Sequence, residues 1–375
     1  MTDARKRRKA KQARRDARRS KQRDESPEET PLVGEVRDAI DSGDPMELLG
    51  LAAMVIEVAY RDDRDDDERP ALDGLVESFI GVPIPETTAL LAVLAEILIY
   101  EDTLRGQCRR EVAARGDDLP AWLTGLSDLT IERVVRMTHV LGDGDELLIG
   151  SRLSDGQPLT CAVFVDHNYY SFITDAFFVP TTVDELVDLA SRSNDDPDTT
   201  FVEMSLADAR TWIEHGIDFD DHFHIEDTDT WPACRPLVLW LASLMPEGGA
   251  EYEPAQSSWP ETQALLDKFF ASLMGQPFAD PDHRTLLSAC IDENNGDALR
   301  WSEARLHMNL DWPFGFTEYH GSTQSALAVP DLLRAYIPFA HAQSGIRDQL
   351  TAEALAAIDA AEPGYRESVL ADQDD

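Results

Sequence analysis

The hydrophobic pattern of the chain changes its period near Ile131, and this change constrains the fold more than any other feature of the sequence. From residue 31 to about 128, apolar residues recur at helical spacing, and Pro85 and Gly116 stand where helices are expected to begin and end. From Ile131 the apolar residues fall in short β-prone runs, and after residue 181 the helical spacing returns. The sequence therefore predicts helices on either side of a short β region.

The β region contains four runs, "IERVVRMTHVL", "DELLIGSRL", "PLTCAVFVDHN" and "DAFFVP". The tight-turn sequences "GDGD" and "SDGQ" favour an antiparallel meander of three or four strands, and "FVEMS" is a candidate further strand. We predict an α+β fold that is mainly helical, with a small antiparallel β-meander in the middle of the chain. The expected regions are a disordered basic arm (1–30), a helical region (31–130), the β-meander (131–205) and a helical C-terminal region (206–375), where 31–375 could form one compact unit.

Charge is distributed very unevenly along the chain. The formal net charge is −39, yet 12 of the 33 Lys and Arg residues lie in residues 1–23, beside only Asp3 and Asp16. This arm therefore has a net charge of +10, and the remaining 352 residues have a net charge of −49. The arm has no apolar face to dock on a core, so its composition predicts a disordered segment that folds on a polyanion.

The cations of the arm are candidate phosphate contacts, because a Lys or Arg that neutralises a phosphate releases counterions. RNA, the ribosome and DNA are the candidate partners, but the arm has no aromatic residue for base stacking, which argues against sequence-specific readout of single strands. Intramolecular docking of the arm on the acidic body is the main alternative, and salt tolerance without an informative partner is a third. The candidate nucleic-acid-binding residues are Arg5, Lys6, Arg7, Arg8, Lys9, Lys11, Arg14, Arg15, Arg18, Arg19, Lys21 and Arg23.

Cysteine usage and hydropathy indicate a cytoplasmic protein. The four cysteines are far apart in the sequence and form no C-x-x-C pair, which fits a reducing compartment. The basic start is followed by "DESPEET" rather than by an apolar segment, so no secretory signal is expected. The most apolar stretches, 46–60 and 87–100, contain glutamates and are shorter than the ~20 residues that span a bilayer, so we expect no transmembrane segment.

Two short segments carry residues suited to metal binding or catalysis. In "DFDDHFHIEDTD", Asp220, His222 and His224 would lie on one side of a strand and offer oxygen and nitrogen ligands to zinc or a harder divalent ion. In "VDHN", Asp166 and His167 at a strand end could supply a base and its orienting group. An acidic surface loop and ordinary turn chemistry are the simpler explanations. A metal-dependent, hydrolase-like enzyme is therefore the alternative to a non-enzymatic binding protein.

Other motifs do not indicate a specific cofactor. "DENNGDALRWSE" resembles an EF-hand loop at Asp292 and Glu303, but Asp297 occupies the position that requires glycine, so a helix-connecting loop is the better interpretation. "GDGDEL" lacks the third glycine of a dinucleotide-binding loop. His341, on an otherwise apolar helix, is expected to be a core histidine. The sequence contains no P-loop, G-x-S-x-G or H-E-x-x-H motif.

The chain contains the segments "MTHVLGDGDELLIG", "FVDHN", "DAFFVP", "NDDPDTTFVE", "DTWPACRPLV" and "DLLRAYIPFAHAQSGIR". In this combination it resembles a family of conserved proteins of actinobacteria that has no assigned activity, cofactor or catalytic residue. The resemblance covers roughly residues 31–368, and the basic arm is similar to what other members carry. It implies a cytosolic bacterial protein and transfers no site residue.

Overall fold

The computed structural model describes residues 31–60, 71–168, 170–193, 196–218, 228, 230–253, 257–311 and 322–371. The basic arm and the candidate metal ligands Asp220, His222 and His224 lie outside the described residues. Within the described ranges, fifteen helices surround one five-stranded antiparallel sheet in the middle of the chain, which confirms the predicted mainly helical α+β fold. None of the described helices combines the length and the apolar character needed to cross a membrane.

Six described helices precede the sheet, and prolines begin several of them. Pro45 and Pro85 occupy the first positions of their helices, where a missing N–H removes no intrahelical hydrogen bond. The fifth helix ends at Gly116, which adopts the left-handed conformation that favours glycine. The helices are α1 (Pro31–Ser42), α2 (Pro45–Tyr60), α3 (Leu72–Ile80), α4 (Pro85–Ile97), α5 (Asp102–Arg115) and α6 (Ala121–Thr124), followed by a 3₁₀ turn at Leu126–Asp128.

Arg115, at the end of α5, connects three of these helices. Its side chain is 6% exposed, and its guanidinium donates hydrogen bonds to the carbonyl oxygens of Phe79 and Ile80 at the C-terminus of α3, at 2.9 and 3.0 Å. It also donates to the hydroxyls of Thr87 and Thr88 in the first turn of α4. A positive charge complements the partial negative charge at the C-terminus of a helix, so Arg115 holds α3 against α4.

The sheet consists of β1 (Thr130–His139), β2 (Gly144–Arg152), β3 (Pro158–Asp166), β4 (Phe172–Val179) and β5 (Thr199–Met204). Its strand order is β4-β3-β2-β1-β5, and every neighbouring pair is antiparallel. Helix α7 (Val183–Ser193) lies between β4 and β5 in the chain, and β5 then pairs with β1 at the far edge. The first four strands thus form the meander, and the "FVEMS" run contributes to a fifth strand that closes the edge of β1.

The two faces of the sheet follow the two-residue period of its strands. Val134, Leu147 and Val163 belong to the large apolar core formed with the N-terminal helices. The alternating residues Val135 and Leu148 belong to a smaller cluster on the other face, where α7 packs. Successive side chains of a strand point to opposite faces, so the nearly continuous apolar runs of β2 and β3 fill both sides of the sheet.

The C-terminal half contains two groups of helices. The first group, α8 (Leu206–Asp218) and α9 (Trp231–Ser243), packs into the large core that also receives one face of the sheet. The second group forms a separate apolar core around Phe269, Trp301 and Tyr336. Its elements are α10 (Trp259–Ala271), a 3₁₀ turn at Gln276–Phe278, α11 (Pro281–Glu293), α12 (Glu303–Leu310), α13 (Thr323–Ala326), α14 (Val329–Ser344) and α15 (Asp348–Ala371).

The last helix extends further than its sequence pattern indicates. The run "TAEALAAIDAAE" ends before Pro363, but α15 continues through Pro363 to Ala371. Tyr365, two residues beyond Pro363, is buried, and its hydroxyl donates a hydrogen bond to the carbonyl oxygen of Ala326 at 2.8 Å. The packing of the last turns against the second core therefore outweighs the cost of a proline inside a helix.

Candidate functional site

The loop between β3 and β4 holds the most chemically suggestive group of side chains among the described residues. Asp166 and Phe172 are paired across the two strands, so residues 167–171 form a short hairpin loop. Tyr170 and Ser171 have φ angles of 54° and 62°, in the left-handed region that non-glycine residues rarely adopt. This backbone brings Ser171 back towards His167, four residues earlier in the chain.

A chain of two hydrogen bonds runs through His167. The Oγ of Ser171 lies 3.0 Å from Nδ1 of His167, and Nε2 of His167 lies 3.1 Å from Oδ2 of Asp145. All three residues are buried, with exposed fractions of 6%, 7% and 3% respectively. The carboxylate accepts only, so the network assigns the ring proton to Nε2 and leaves the lone pair of Nδ1 facing the serine hydroxyl.

The carboxylate of Asp145 is held in its charged form. Burial alone would raise the pKa of Asp145, but hydrogen bonds from His167 and Thr138, together with electrostatic interactions with His167 and Arg136, outweigh burial and lower that pKa. The guanidinium of Arg136 lies 3.5 Å from Oδ2 of Asp145. An ionised, buried carboxylate on Nε2 stabilises a proton on the imidazole ring, which is the role of an orienting acid in a catalytic triad.

Two aromatic rings enclose the imidazole of His167. The ring of Tyr252 stacks on it with centroids 3.8 Å apart and an interplanar angle of 1°, and Trp212 contacts it edge-on at 6.0 Å. The Arg136 guanidinium lies 5.5 Å from the centroid of the Trp212 ring. This packing fixes the orientation of the imidazole and screens it from water.

Behind the hairpin loop, Arg305 of α12 forms a buried polar network with an exposed side-chain fraction of only 4%. Its guanidinium donates to Oδ1 of Asn168 at 3.0 Å and to the carbonyl oxygen of Gly142 at 2.9 Å. It also forms ion pairs with Asp143 at 2.9 Å and with Asp297 at 3.1 Å. We call these five residues the Arg305 network; it joins the β1–β2 turn and the β3–β4 loop to the second core.

The loop that resembles an EF-hand in sequence belongs to this network. The Asp297 carboxylate accepts hydrogen bonds from the backbone N–H groups of Leu299 and Arg300, at 2.9 and 3.2 Å, and pairs with the guanidinium groups of Arg300 and Arg305. Its oxygens are therefore engaged by protein donors rather than arranged around an ion. The segment connects α11 to α12, and Asn295 in its turn donates a hydrogen bond to the carbonyl oxygen of His167 at 3.0 Å.

His341 also adjoins this loop and is satisfied on both sides of its ring. Nε2 accepts a hydrogen bond from the backbone N–H of Trp301 at 3.2 Å, and Nδ1 lies 2.9 Å from Oγ1 of Thr351. Burial lowers the pKa of His341 to about 4. The hydrogen bond from the backbone N–H of Trp301 and the charge of Asp297 act in the opposite direction and offset only part of this effect. The side chain has the environment of a core histidine.

A second candidate place is a cleft of about 840 Å³ beside the β1–β2 turn and the N-terminal ends of α12 and α15. His139, Asp196 and Asp198 lie close enough there to hold a metal ion. However, Nδ1 of His139 accepts a hydrogen bond from the backbone N–H of Leu141 at 3.2 Å, so Nε2 carries the proton and faces Asp196 at 3.2 Å. Asp198 is engaged by Arg347, whose hydrogen bonds lower the pKa of that carboxyl. The donor set therefore fits an ion-pair network better than a metal centre.

The structure separates the two residues that the sequence paired. Asp166 accepts a hydrogen bond from the backbone N–H of Asn168 at 2.9 Å, as a turn residue does, whereas the carboxylate facing His167 is that of Asp145. Sequence reasoning missed both Asp145 and Ser171. A five-residue hairpin loop that places His167 and Ser171 four positions apart is the signal that points to the serine.

Comparisons with known proteins do not identify a relative. No protein-family model matches the chain, and neither a curated protein nor a solved structure matches it.

Proposed function

We propose that this is a binding protein whose basic N-terminal arm contacts a polyanion, namely RNA, the ribosome or DNA. The observation that carries the proposal is the concentration of twelve Lys and Arg residues in residues 5–23 of a chain that is otherwise strongly acidic. Each cation that neutralises a phosphate releases condensed counterions, so binding of this kind is strong at low salt and weakens steeply as salt is added.

The ion pairs of the folded body support this assignment of the binding surface. Most arginines in the described ranges already pair with a carboxylate, so they offer little positive charge to an external phosphate. The paired arginines are Arg37, Arg105, Arg109, Arg115, Arg133, Arg136, Arg152, Arg192, Arg210, Arg284, Arg300, Arg305, Arg334, Arg347 and Arg366. The acidic body would repel a nucleic acid, and the arm would have to supply the attraction.

The test compares the full chain with a variant in which all twelve Lys and Arg residues of 5–23 are replaced by Gln. For about six neutralised phosphates, the affinity of the wild type for duplex RNA or DNA should fall about 10³-fold between 50 and 200 mM salt. The Gln variant should lose both the binding and the salt dependence. Binding is measured by fluorescence anisotropy, and ribosome binding is measured by co-sedimentation.

Two controls distinguish the alternatives. A full chain with a scrambled arm of the same composition should bind as the wild type does, and Lys268→Gln in the body should have no effect. Equal binding by the Gln variant and the wild type would contradict the proposal. Salt-sensitive cross-links between the arm and body carboxylates, without binding to any nucleic acid, would support intramolecular docking instead.

A metal-dependent, hydrolase-like enzyme remains the second candidate function. It rests on the Asp220-x-His222-x-His224 pattern, whose alternating positions place three ligands on one side of an extended chain. Metal analysis of the purified full chain tests it: stoichiometric zinc that is lost in His222→Ala, but retained in a control variant of the half-exposed His307, His307→Ala, would support it. A folded wild-type protein that binds no added zinc, manganese or magnesium in calorimetry would exclude it.

A further inference from the structure

We propose that Ser171 is an activated nucleophile and that Asp145, His167 and Ser171 form a metal-independent site for the hydrolysis of small carboxylic esters. In this site His167 acts as the general base, and Asp145 orients the imidazole ring. This site uses neither the basic arm nor a metal at residues 220–224.

The three side chains meet the geometric requirements of nucleophilic catalysis. A base must lie within hydrogen-bond reach of the nucleophile, and a third group must orient the base. The Ser171 Oγ to His167 Nδ1 distance is 3.0 Å, and the His167 Nε2 to Asp145 Oδ2 distance is 3.1 Å. The order nucleophile, base, carboxylate is that of a serine triad.

The ring nitrogens are used in the reverse of the usual arrangement, with Nδ1 towards the serine and Nε2 towards the carboxylate. This reversal has a structural cause. His167 and Ser171 share one short hairpin loop, so the nitrogen nearer the backbone faces the serine. Asp145 lies on the neighbouring strand β2, whose pairing with β3 places it beside the end of β3. The chemistry is unaffected, because either nitrogen accepts a proton when the other carries one.

The surroundings favour transfer of the serine proton to the ring. The transfer turns the imidazole into a cation between the charged Asp145 carboxylate and the face of the Tyr252 ring, which is 3.8 Å away. Both groups are in place before the reaction and stabilise a positive charge in a site that excludes most water.

A second buried serine, Ser151, has a hydroxyl with a purely structural role in this sheet. Ser151, on β2, donates its hydroxyl proton to the carbonyl oxygen of Leu159 at 2.7 Å. That acceptor cannot remove the proton. Ser171 instead faces an imidazole nitrogen, and it therefore differs from Ser151 in chemistry although both are buried.

The backbone of the loop is held in an unfavourable conformation at the nucleophile. Tyr170 and Ser171 both have positive φ angles, and helix α8 packs tightly against this position, since a Cβ added to Gly216 would lie 2.9 Å from the carbonyl oxygen of Ser171. Backbone strain that the surrounding structure maintains is concentrated at functional sites.

The degree of burial limits the substrate to small acyl groups. Ser171 keeps 6% of its surface exposed, and the adjoining Tyr170 is 68% exposed, so the loop borders solvent. Because so little of Ser171 is exposed, we expect only a small ester to reach its hydroxyl. We expect a short acyl chain to be accepted more readily than a long or branched one, because the rings of Tyr252 and Trp212 pack against His167.

The reaction balances without an added oxidant or cofactor. The Ser171 Oγ attacks the ester carbonyl carbon while its proton passes to Nδ1 of His167. The C–O bond to the alcohol then breaks, and the alcohol leaves with the proton from Nδ1. Water repeats the sequence on the acyl-serine, giving the carboxylic acid and free Ser171.

The test uses the full-length protein and a small alkyl fluorophosphonate, which a nucleophilic serine attacks with loss of fluoride. Intact mass and peptide mapping should show one adduct per chain, located on Ser171. Ser171→Ala should abolish the adduct, His167→Gln should slow its formation at least about 100-fold, and Ser151→Ala should leave the rate unchanged.

Asp145→Asn tests the positioning role, because an amide donates to Nε2 and shifts the ring proton to Nδ1, which disables the base. We expect slower labelling with an unchanged circular dichroism spectrum. The wild-type result decides the proposal even if a variant fails to fold. No adduct on Ser171 in the folded wild type, or labelling that is indifferent to His167→Gln in a folded variant, would overturn it.

Discussion

At the scale of single residues, His167 and His341 are both buried near the Arg305 network, but their rings have different hydrogen-bond partners. The ring of His341 lies between the backbone N–H of Trp301 and the hydroxyl of Thr351, with burial as the dominant influence on its pKa. His167 instead lies between a charged carboxylate and a hydroxyl. The first environment disfavours a charged ring, and the second places a carboxylate beside one ring nitrogen and a hydroxyl beside the other.

The depressed pKa of His341 predicts a pH dependence of stability. Its folded-state pKa of about 4 lies below the ordinary value of 6.5, so protonation favours the unfolded chain. The stabilising contribution is therefore complete above pH 6.5 and is lost as the pH falls towards 4. A shift of this size corresponds to about 3 kcal/mol of unfolding free energy.

Urea unfolding of the wild type and of His341→Gln at pH 7.5, 5.5 and 4.5 measures this contribution. Because Gln does not titrate, the wild type should lose its advantage over the variant as the pH is lowered. The comparison cancels the effect of the many surface carboxylates, which both proteins share. A difference in unfolding free energy that stays constant across these pH values would contradict the prediction.

At the scale of elements, local sequence patterns predict the type of each segment better than the pairing between segments. The change of period at Ile131 and the turn sequences "GDGD" and "SDGQ" predict β1 to β4, which the structure contains. The position of β5 at the edge of β1 depends on where α7 directs the chain, and no local pattern encodes that direction. Side-chain alternation predicts strands, whereas strand order follows from the packing of the whole domain.

The candidate site illustrates the same limit. The sequence singles out His167, but Asp166, its neighbour in the chain, points its carboxylate to a turn N–H. The Asp145 carboxylate contacts the imidazole of His167 because the β2–β3 register places Asp145 opposite Val165. Ser171 contacts the same ring because the left-handed backbone at residues 170 and 171 turns it towards His167. Both contacts depend on register and loop conformation, which side-chain identity alone does not determine.

At the scale of the whole molecule, the Arg305 network connects the two apolar cores. The first core contains the N-terminal helices and the sheet, and the second contains the last helices of the chain. Arg305 reaches from α12 in the second core to Gly142 and Asn168 at the turns of the sheet. The buried guanidinium of Arg305 is held between the carboxylates of Asp143 and Asp297, and without them it would be a buried, uncompensated charge.

Replacing Arg305 by Met should therefore destabilise the protein strongly. Removal of one partner from a buried ion pair costs about 3–5 kcal/mol, and Asp297 would keep only the Arg300 guanidinium and two backbone N–H groups as partners. Urea unfolding followed by tryptophan fluorescence measures the loss. The matched control is Arg192→Met, whose ion pair with Asp188 is exposed on α7 and should have no measurable effect. Equal stability of Arg305→Met and the wild type would show that the network contributes little.

The late position of β5 in the chain has a consequence for synthesis on the ribosome. About 60 residues separate the end of β1 from the start of β5, which at 5–20 residues per second is a delay of about 3–12 s. During this interval one edge of β1 has no partner strand and is open to pairing with another nascent chain. β1 carries Glu132, Arg133 and Arg136, and charged residues on an open edge discourage such pairing. Arg133 later forms an ion pair with Glu203 of β5. The same arginine therefore disfavours pairing with another chain before β5 is made and contacts β5 once that strand is in place.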